Sequence, residues 1–249
     1  MSLVVALEGC AGRAAFQVGV LEWLGERGIR PAAAAGASSG SIVAALSAFL
    51  EPGDMREAWL AGADQRVFRP ARLLAGHWPF VMSDIVAAAL EAALGGARLP
   101  QARIPVAIPV THLGPAGRQR RVLTRADDVP VVEAVLGSCF VPGPYIRRIH
   151  LDGRLALDGA WLVRTPGGEA MALAPGSCVA IVANPERVLY GDFPFARPLP
   201  VPPACRVLGP ARALALGPFD TDRDRIVEAM DAGRAAAEAW AADPRSRLA

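Results

Sequence analysis

Lysine is absent from this sequence of 249 residues; all 26 basic residues are arginine. The 24 acidic residues nearly balance them, and a formal net charge of +2 gives no general electrostatic case for nucleic acid as a partner. The arginines accompany abundant Ala, Gly and Pro, which reads as coding bias. The cluster Arg118-Gln119-Arg120-Arg121 reads as a solvated turn or strand end. Cysteine is scarce: Cys10, Cys139, Cys178 and Cys205 are far apart and form no C-x-x-C pair. That spacing excludes a clustered zinc site and a dense disulfide framework, so reduced thiols in a cytoplasmic protein are expected. No basic stretch opens the chain, and Leu3–Leu7 is too short for the apolar region of a secretory leader, so none is expected. A long membrane-spanning run is missing too. Residues between Arg30 and Glu51 carry no charge, but Gly and Ser interrupt them and alanine fills their first half, which suits a buried strand and helix. Neither a repeat nor a low-complexity linker divides the chain, and a single domain over 1–249 is expected.

An apolar fraction of 53% leaves ample material for a core. Leu3–Leu7 is a continuous apolar run suited to a strand buried on both faces. After the loop Glu8–Arg13, residues Phe16, Val20, Leu21 and Leu24 repeat at helical spacing, and Gly28 closes that helix. A second strand from Ala32 then runs into Gly36-Ala37-Ser38-Ser39-Gly40 and an apolar helix to Phe49. The whole is a βαβ unit. Its second corner has the layout of a nucleophile elbow, in which small neighbours let the corner close and leave the Ser38 hydroxyl exposed at a helix N-terminus.

Further along, Pro52–Gly95 reads as mostly helical, and as either scaffold or pocket cover. Ile104–Leu113 and Arg121–Thr124 read as strands joined at Gly114–Gly117, and Pro130–Cys139 as a short helix. Tyr145–Leu151 and Leu155–Leu157 read as a hairpin turning at Asp152-Gly153. The second Asp-Gly pair, Asp158-Gly159, has no turn to explain it. Cys178–Ala183 is another buried strand, and Asp220 or Thr221 is placed to cap a last helix with Ile226, Val227, Met230 and Trp240 on its apolar face.

A nucleophilic serine needs a proton acceptor and a site for the developing oxyanion. Of the three histidines, His77 falls in the helical region and His112 and His150 in strands, where a structural role is the ordinary one. An α/β-hydrolase would order its triad Ser, acid, His and place more chain ahead of the elbow; Ser38 arrives after one βα unit.

Three blocks, in order, resemble the patatin-like phospholipases, which use a Ser–Asp dyad. Gly9-Cys10-Ala11-Gly12-Arg13-Ala14, with Ala15-Phe16-Gln17-Val18-Gly19, is similar to the family's G-G-G-x-[RK]-G oxyanion loop and the helix after it. Gly36–Gly40 matches the G-x-S-x-G elbow, and Asp158-Gly159-Ala160 matches D-G-[GA]. Val141-Pro142-Gly143-Pro144, the His150–Arg154 hairpin and Met230-Asp231-Ala232-Gly233-Arg234 also resemble family features. The resemblance implies a three-layer α/β/α patatin-like fold with a mainly parallel central sheet. It implies Ser38 as nucleophile, Asp158 as acceptor or director of its proton, and an oxyanion hole from the backbone of Gly9, Cys10, Ala11 and Gly12 with Arg13 assisting. It further implies a lipid or acyl-ester substrate, transient contact with a membrane surface, an acyl-enzyme cleared by water, and no metal or organic cofactor.

The loop departs from the family in carrying Cys10, Ala11 and Ala14 where glycine is usual. A side chain at a position of positive φ costs about 1 kcal/mol or more. Glu8 stands where a small residue is common, and a carboxylate facing the oxyanion would oppose catalysis; Arg164 stands where Asn is frequent. Two other outcomes stay open: acyl transfer from the same acyl-serine to an alcohol or amine, and a lipid-binding protein with a weakened site. A dinucleotide-binding module fails the G-x-G-x-x-G spacing.

Overall fold

In the computed structural model, which describes residues 2–115, 117–191 and 197–243, the apolar run Leu3–Leu7 (β1) is a strand buried along its whole length. The helix Ala15–Glu26 (α1) leads to Ala33–Gly36 (β2), which lies parallel to β1 with Gly36 opposite Leu7. Gly28, at φ +71°, ends α1 in the left-handed turn that glycine adopts without a Cβ penalty. Ser39–Phe49 (α2) follows β2 directly.

Pro52–Gly95 is only partly helical. Met55–Leu60 (α3) and Met82–Leu94 (α4) are helices, while the residues between them form an extended arm. Phe68 and Phe80 bridge its two limbs, and a 3-10 turn, Pro70–Ala75, makes its tip. Pro70 and Pro79 remove donors that a continuous helix would need, and Gly76 sits at φ +70°.

Val106–Gly114 (β3) and Gly117–Thr124 (β4) are an antiparallel pair, and the tip of their expected turn, residue 116, lies outside the described residues. The arginine cluster lies within β4, its side chains largely in solvent. Val131–Ser138 (α5) starts just after Pro130. The hairpin strands are short: His150–Leu151 (β5) and Arg154–Leu157 (β6), joined by Asp152 and Gly153, both at positive φ as the turn demands. The segment from Tyr145 does not join β5, because Tyr145 turns inward to line a cavity. Gly167–Leu173 (α6), Ser177–Ile181 (β7), Leu189–Tyr190 (β8), Pro198–Leu199 (β9) and Cys205–Leu208 (β10) precede the last helix, Arg223–Ala242 (α7). Asp222, not Asp220 or Thr221, caps α7 by accepting from the Arg225 N–H at 3.0 Å; Asp220 accepts from the Asp222 N–H and braces the cap from one turn earlier.

The main sheet runs β10-β7-β1-β2-β3-β6-β5, with β4 also on β3. Strands β10 through β3 are parallel, while β4, β5 and β6 pair antiparallel, so the fold is α/β with a mainly parallel central sheet. One face, with Leu3, Val5 and Leu7 of β1, packs on a large core that includes α1, α2, α5 and α7. The other, with Val4, Ala6, Ala33 and Ala35, is covered by α6 through Ala170. Where α1 crosses α7 the backbones touch: a Cβ on Gly19 would lie 1.8 Å from the Met230 carbonyl oxygen, and one on Gly233 would lie 2.1 Å from that of Phe16. That contact explains the glycine in the terminal motif. The order of strand addition changes side at β1, which pairs in parallel with β2 on one side and β7 on the other, and the carboxyl ends of such strands form a natural crevice. No helix among the described residues is long and apolar enough to cross a membrane.

Candidate active site

Ser38 follows the carboxyl end of β2 and precedes α2, with φ +51° and ψ −131°. A serine holds such a conformation only where its surroundings over-determine it, at a cost of about 1–3 kcal/mol. The surroundings here are glycine contacts. A Cβ on Gly36 would fall 2.0 Å from the Gly40 carbonyl oxygen, and one on Gly40 would fall 2.3 Å from that of Leu7. Only glycine lets the corner close on β1. The Ser38 N–H donates to Ser138 Oγ at 3.0 Å, and the Ser138 hydroxyl donates to the Pro109 carbonyl at 2.7 Å, tying the corner to α5 and β3.

Asp158 follows β6 and starts a one-turn 3-10 segment, Gly159–Trp161. Ser38 Oγ donates to Asp158 Oδ2 at 2.7 Å, and the Ala160 N–H donates to Oδ1 at 2.8 Å. The backbone of Asp158 is fixed as well: its N–H donates to the Phe140 carbonyl, and the Thr111 hydroxyl donates to its own carbonyl. The side chain is only 3% exposed. Burial pushes the Asp158 carboxyl up to about 6, against the lowering effect of its bonds from Ser38 and Ala160.

The 9–14 loop divides its labour. Gly9 packs on Ser38, since a Cβ there would be 2.9 Å from that of Ser38, and its N–H donates to the Arg164 carbonyl at 2.9 Å. The Cys10 N–H donates to Ser39 Oγ at 3.0 Å, and its buried thiol is pushed up by burial and by Glu8. The Gly12 N–H donates to the Pro218 carbonyl. Ala11 has φ +56°, the only one of the three replaced glycines in the left-handed region; Cys10 is at −140° and Ala14 at −65°. Ala11 begins a 3-10 turn, so its N–H has no partner within that turn. Arg13 Nε donates to the Cys10 carbonyl at 3.4 Å. In a trans peptide the carbonyl and the following N–H point oppositely, so this bond orients the Ala11 N–H away from Arg13. Ala11 and Gly12 line the same cavity as Ser38 and Asp158, whereas Gly9, Cys10 and Arg13 brace it from behind.

Glu8 faces away from that cavity. Its Oε2 accepts from the Ala183 N–H at 2.7 Å, and its Oε1 lies 2.9 Å from Arg164 Nε in an ion pair not aligned as a hydrogen bond. Burial raises the Glu8 carboxyl, and Arg164 works against that rise. The Arg164 guanidinium also stacks over the Tyr190 ring, 5.4 Å from its centroid. The two departures from the family pattern are therefore partners of each other. Removing one alone strands a buried charge, so Arg164→Ala is expected to destabilise the fold by about 3–5 kcal/mol. A double-mutant cycle with Glu8→Gln, read by chemical denaturation, checks this: the second substitution should restore much of the loss. Additive losses would show that the pair is uncoupled.

Beside Ser38 and Asp158 lies a cavity of about 160 Å³. Its walls are mainly apolar: Ile42 and Leu46 from α2, Trp59 from α3, and Ile85, Val86 and Leu90 from α4. The helical parts of Pro52–Gly95 are thus pocket wall. Cys139 and Tyr145 also line it, and burial pushes the Cys139 thiol up. No histidine lines it: His77 is on the exposed arm, His150 on β5, and His112 is buried in β3, its pKa lowered by burial. Among the described residues no three His, Cys, Asp or Glu side chains are grouped to hold a metal ion. Ser138 and Thr111 belong to no sequence motif, and Ser39 enters the elbow motif only at its variable position; a serine on the buried face of the apolar helix α5 is the one available signal.

A family model described as patatin-like phospholipase matches residues 5–171. Among solved structures, VipD from Legionella pneumophila is similar with a TM-score of 0.53 and 12% identity, over 96% of this chain and 66% of that one. Human GIVD cytosolic phospholipase A2 matches with a TM-score of 0.44 and 10% identity, over 72% of this chain and 45% of that one. This chain thus spans less than two thirds of the length of either structure. No curated protein matches the sequence.

Proposed function

The chain belongs to the patatin-like phospholipase family, and on that premise we propose that it is a serine hydrolase of lipid acyl esters, with Ser38 as nucleophile and Asp158 as its base. The observation that carries this reading is the 2.7 Å hydrogen bond from Ser38 Oγ to Asp158 Oδ2 at the edge of an apolar cavity. In the first step Ser38 Oγ bonds to the ester carbonyl carbon while its proton passes to Asp158 Oδ2. The oxyanion that forms accepts from the N–H groups of Ala11 and Ser39. Ser39 is the first residue of α2, so its N–H has no intrahelical partner and sits at the positive end of the helix dipole. Collapse of the intermediate breaks the ester C–O bond, and the leaving alcohol takes the proton from Asp158. Water then attacks the acyl-serine, again losing its proton to Asp158, and the carboxylic acid departs as Ser38 is regenerated. A carboxyl with a pKa of about 6 is ionised at neutral pH yet is a stronger base than an exposed aspartate. The apolar wall suits the acyl chain.

A fluorophosphonate probe tests the assignment, because it phosphonylates only an activated serine. Native protein should carry one adduct, mapped by peptide mass spectrometry to Ser38, and heat-denatured protein none. An unlabelled Ser38, or a label on another serine, would overturn the proposal.

A further inference from the structure

The arm between α3 and α4 carries a second feature that the hydrolytic chemistry does not use. Its tip and limbs expose large apolar side chains: Leu74 is 94% exposed, and Phe68, Leu73 and Trp78 are each at least half exposed. Phe68 and Phe80 rings stand 5.0 Å apart, and Trp78 Nε1 donates to the Gly143 carbonyl at 2.6 Å, so the apolar tip is held in place. Three arginines, Arg66, Arg69 and Arg72, lie on the same arm, and no acidic residue occurs between Asp64 and Asp84. Their polar contacts are to uncharged groups: Arg69 Nε to the Arg66 carbonyl, Arg69 to Gln65, and Arg72 Nε to the Trp78 carbonyl. The flanking carboxylates are already neutralised, Asp64 by Arg223 and Asp84 by Arg147. Phe219 joins the arm to the active site. It is 46% exposed, and it lines both the depression beside Phe68 and Phe80 and the cavity holding Ser38.

We propose that this arm docks the protein on an anionic lipid bilayer, with Leu73, Leu74 and Trp78 entering the interface and Arg66, Arg69 and Arg72 meeting the phosphates. The inference rests on the lipid-ester reading of the site, which it supplies with a bilayer partner. An exposed apolar cluster marks an interaction surface. The arginines among it, which form no ion pair among the described residues, select a negatively charged partner, and a tryptophan with its N–H fixed and its ring exposed suits the boundary between headgroups and acyl chains. Docked this way, the arm brings Phe219 and the cavity mouth to the membrane face.

The test uses full-length Ser38→Ala protein, so that binding is read without hydrolysis. Co-sedimentation with vesicles of phosphatidylcholine mixed with phosphatidylglycerol should show binding that weakens as salt is raised, and vesicles of phosphatidylcholine alone should bind far less. Replacing Arg66, Arg69 and Arg72 together by glutamine should weaken binding to the mixed vesicles on the order of a hundredfold, since each basic residue near such a surface contributes roughly fivefold. Leu73→Ser with Leu74→Ser should weaken it as well. With Ser38 intact, both variants should melt like the parent and hydrolyse a soluble short-chain ester at the parent rate, while losing activity on vesicles. Equal vesicle binding by parent and variants, or no binding by the parent, would overturn the proposal. So would concentration-dependent dimerisation abolished by Leu74→Ser, which would assign the patch to a second copy of the chain. Failure of ester hydrolysis with vesicle binding intact would remove the catalytic reading and leave the docking surface standing.

Discussion

Ser38→Ala is expected to lower kcat/KM for a medium-chain ester by a factor on the order of 10⁵, as removal of a nucleophile does where the rest of the site survives. The residue left behind keeps its Cβ, so the backbone at φ +51° carries the same steric cost as before. Its N–H still donates to Ser138, and the glycine contacts that shape the corner involve no atom of the hydroxyl. What disappears is the bond to Asp158 Oδ2 and the hydroxyl proposed as nucleophile. Asp158 then loses the interaction that most favours its charged form and holds its proton more tightly. Any residual rate comes from substrate binding and the backbone donors. Steady-state kinetics beside a thermal melt check the expectation. A rate within about tenfold of the parent, with the fold intact, would remove Ser38 from the reaction.

The elbow was readable in the sequence because its requirements are local. A turn of this tightness needs small residues at Gly36 and Gly40, and the flanking apolar runs declare a strand and a helix. Asp158 stood out because one Asp-Gly pair had a hairpin to explain it and the other did not. The 9–14 loop was readable as a loop, but the aim of its N–H groups was not. Their acceptors, the Arg164 carbonyl, Ser39 Oγ and the Pro218 carbonyl, come from three distant parts of the chain. For the same reason the sequence alone does not show that Arg164 and the Ala183 N–H claim the Glu8 carboxylate. The apolar content of the arm resembles that of α4 and so reads as helix, while Pro70 and Pro79 break the ladder. Its exposure is a property of the packed molecule alone.

The proposed base carries a cost to the fold, and Asp158→Asn should expose both sides of it. The carboxyl titrates near 6 in the folded protein, against an ordinary value of 3.8. A group whose folded pKa is raised contributes stability that is fully present below the unfolded value and is lost as pH rises through the folded one. Between pH 4 and pH 7 the native protein should therefore lose about 2 kcal/mol on account of this one residue. Asparagine has no charge to desolvate, and its oxygen can still accept from the Ala160 N–H. The variant should thus be the more stable protein above pH 7, by up to about 3 kcal/mol, and the advantage should close near pH 4. Chemical denaturation at the two pH values measures this, and an equal difference at both would refute the account. Activity should move the other way. The parent rate should rise with pH through about 6 as the carboxylate forms, while the amide, unable to accept the serine proton, should lose about 10³- to 10⁴-fold at every pH. Apolar surroundings that raise the basicity of Asp158 are the same ones that make its charge costly to bury, so on the proposed mechanism stability and rate at this position trade against each other.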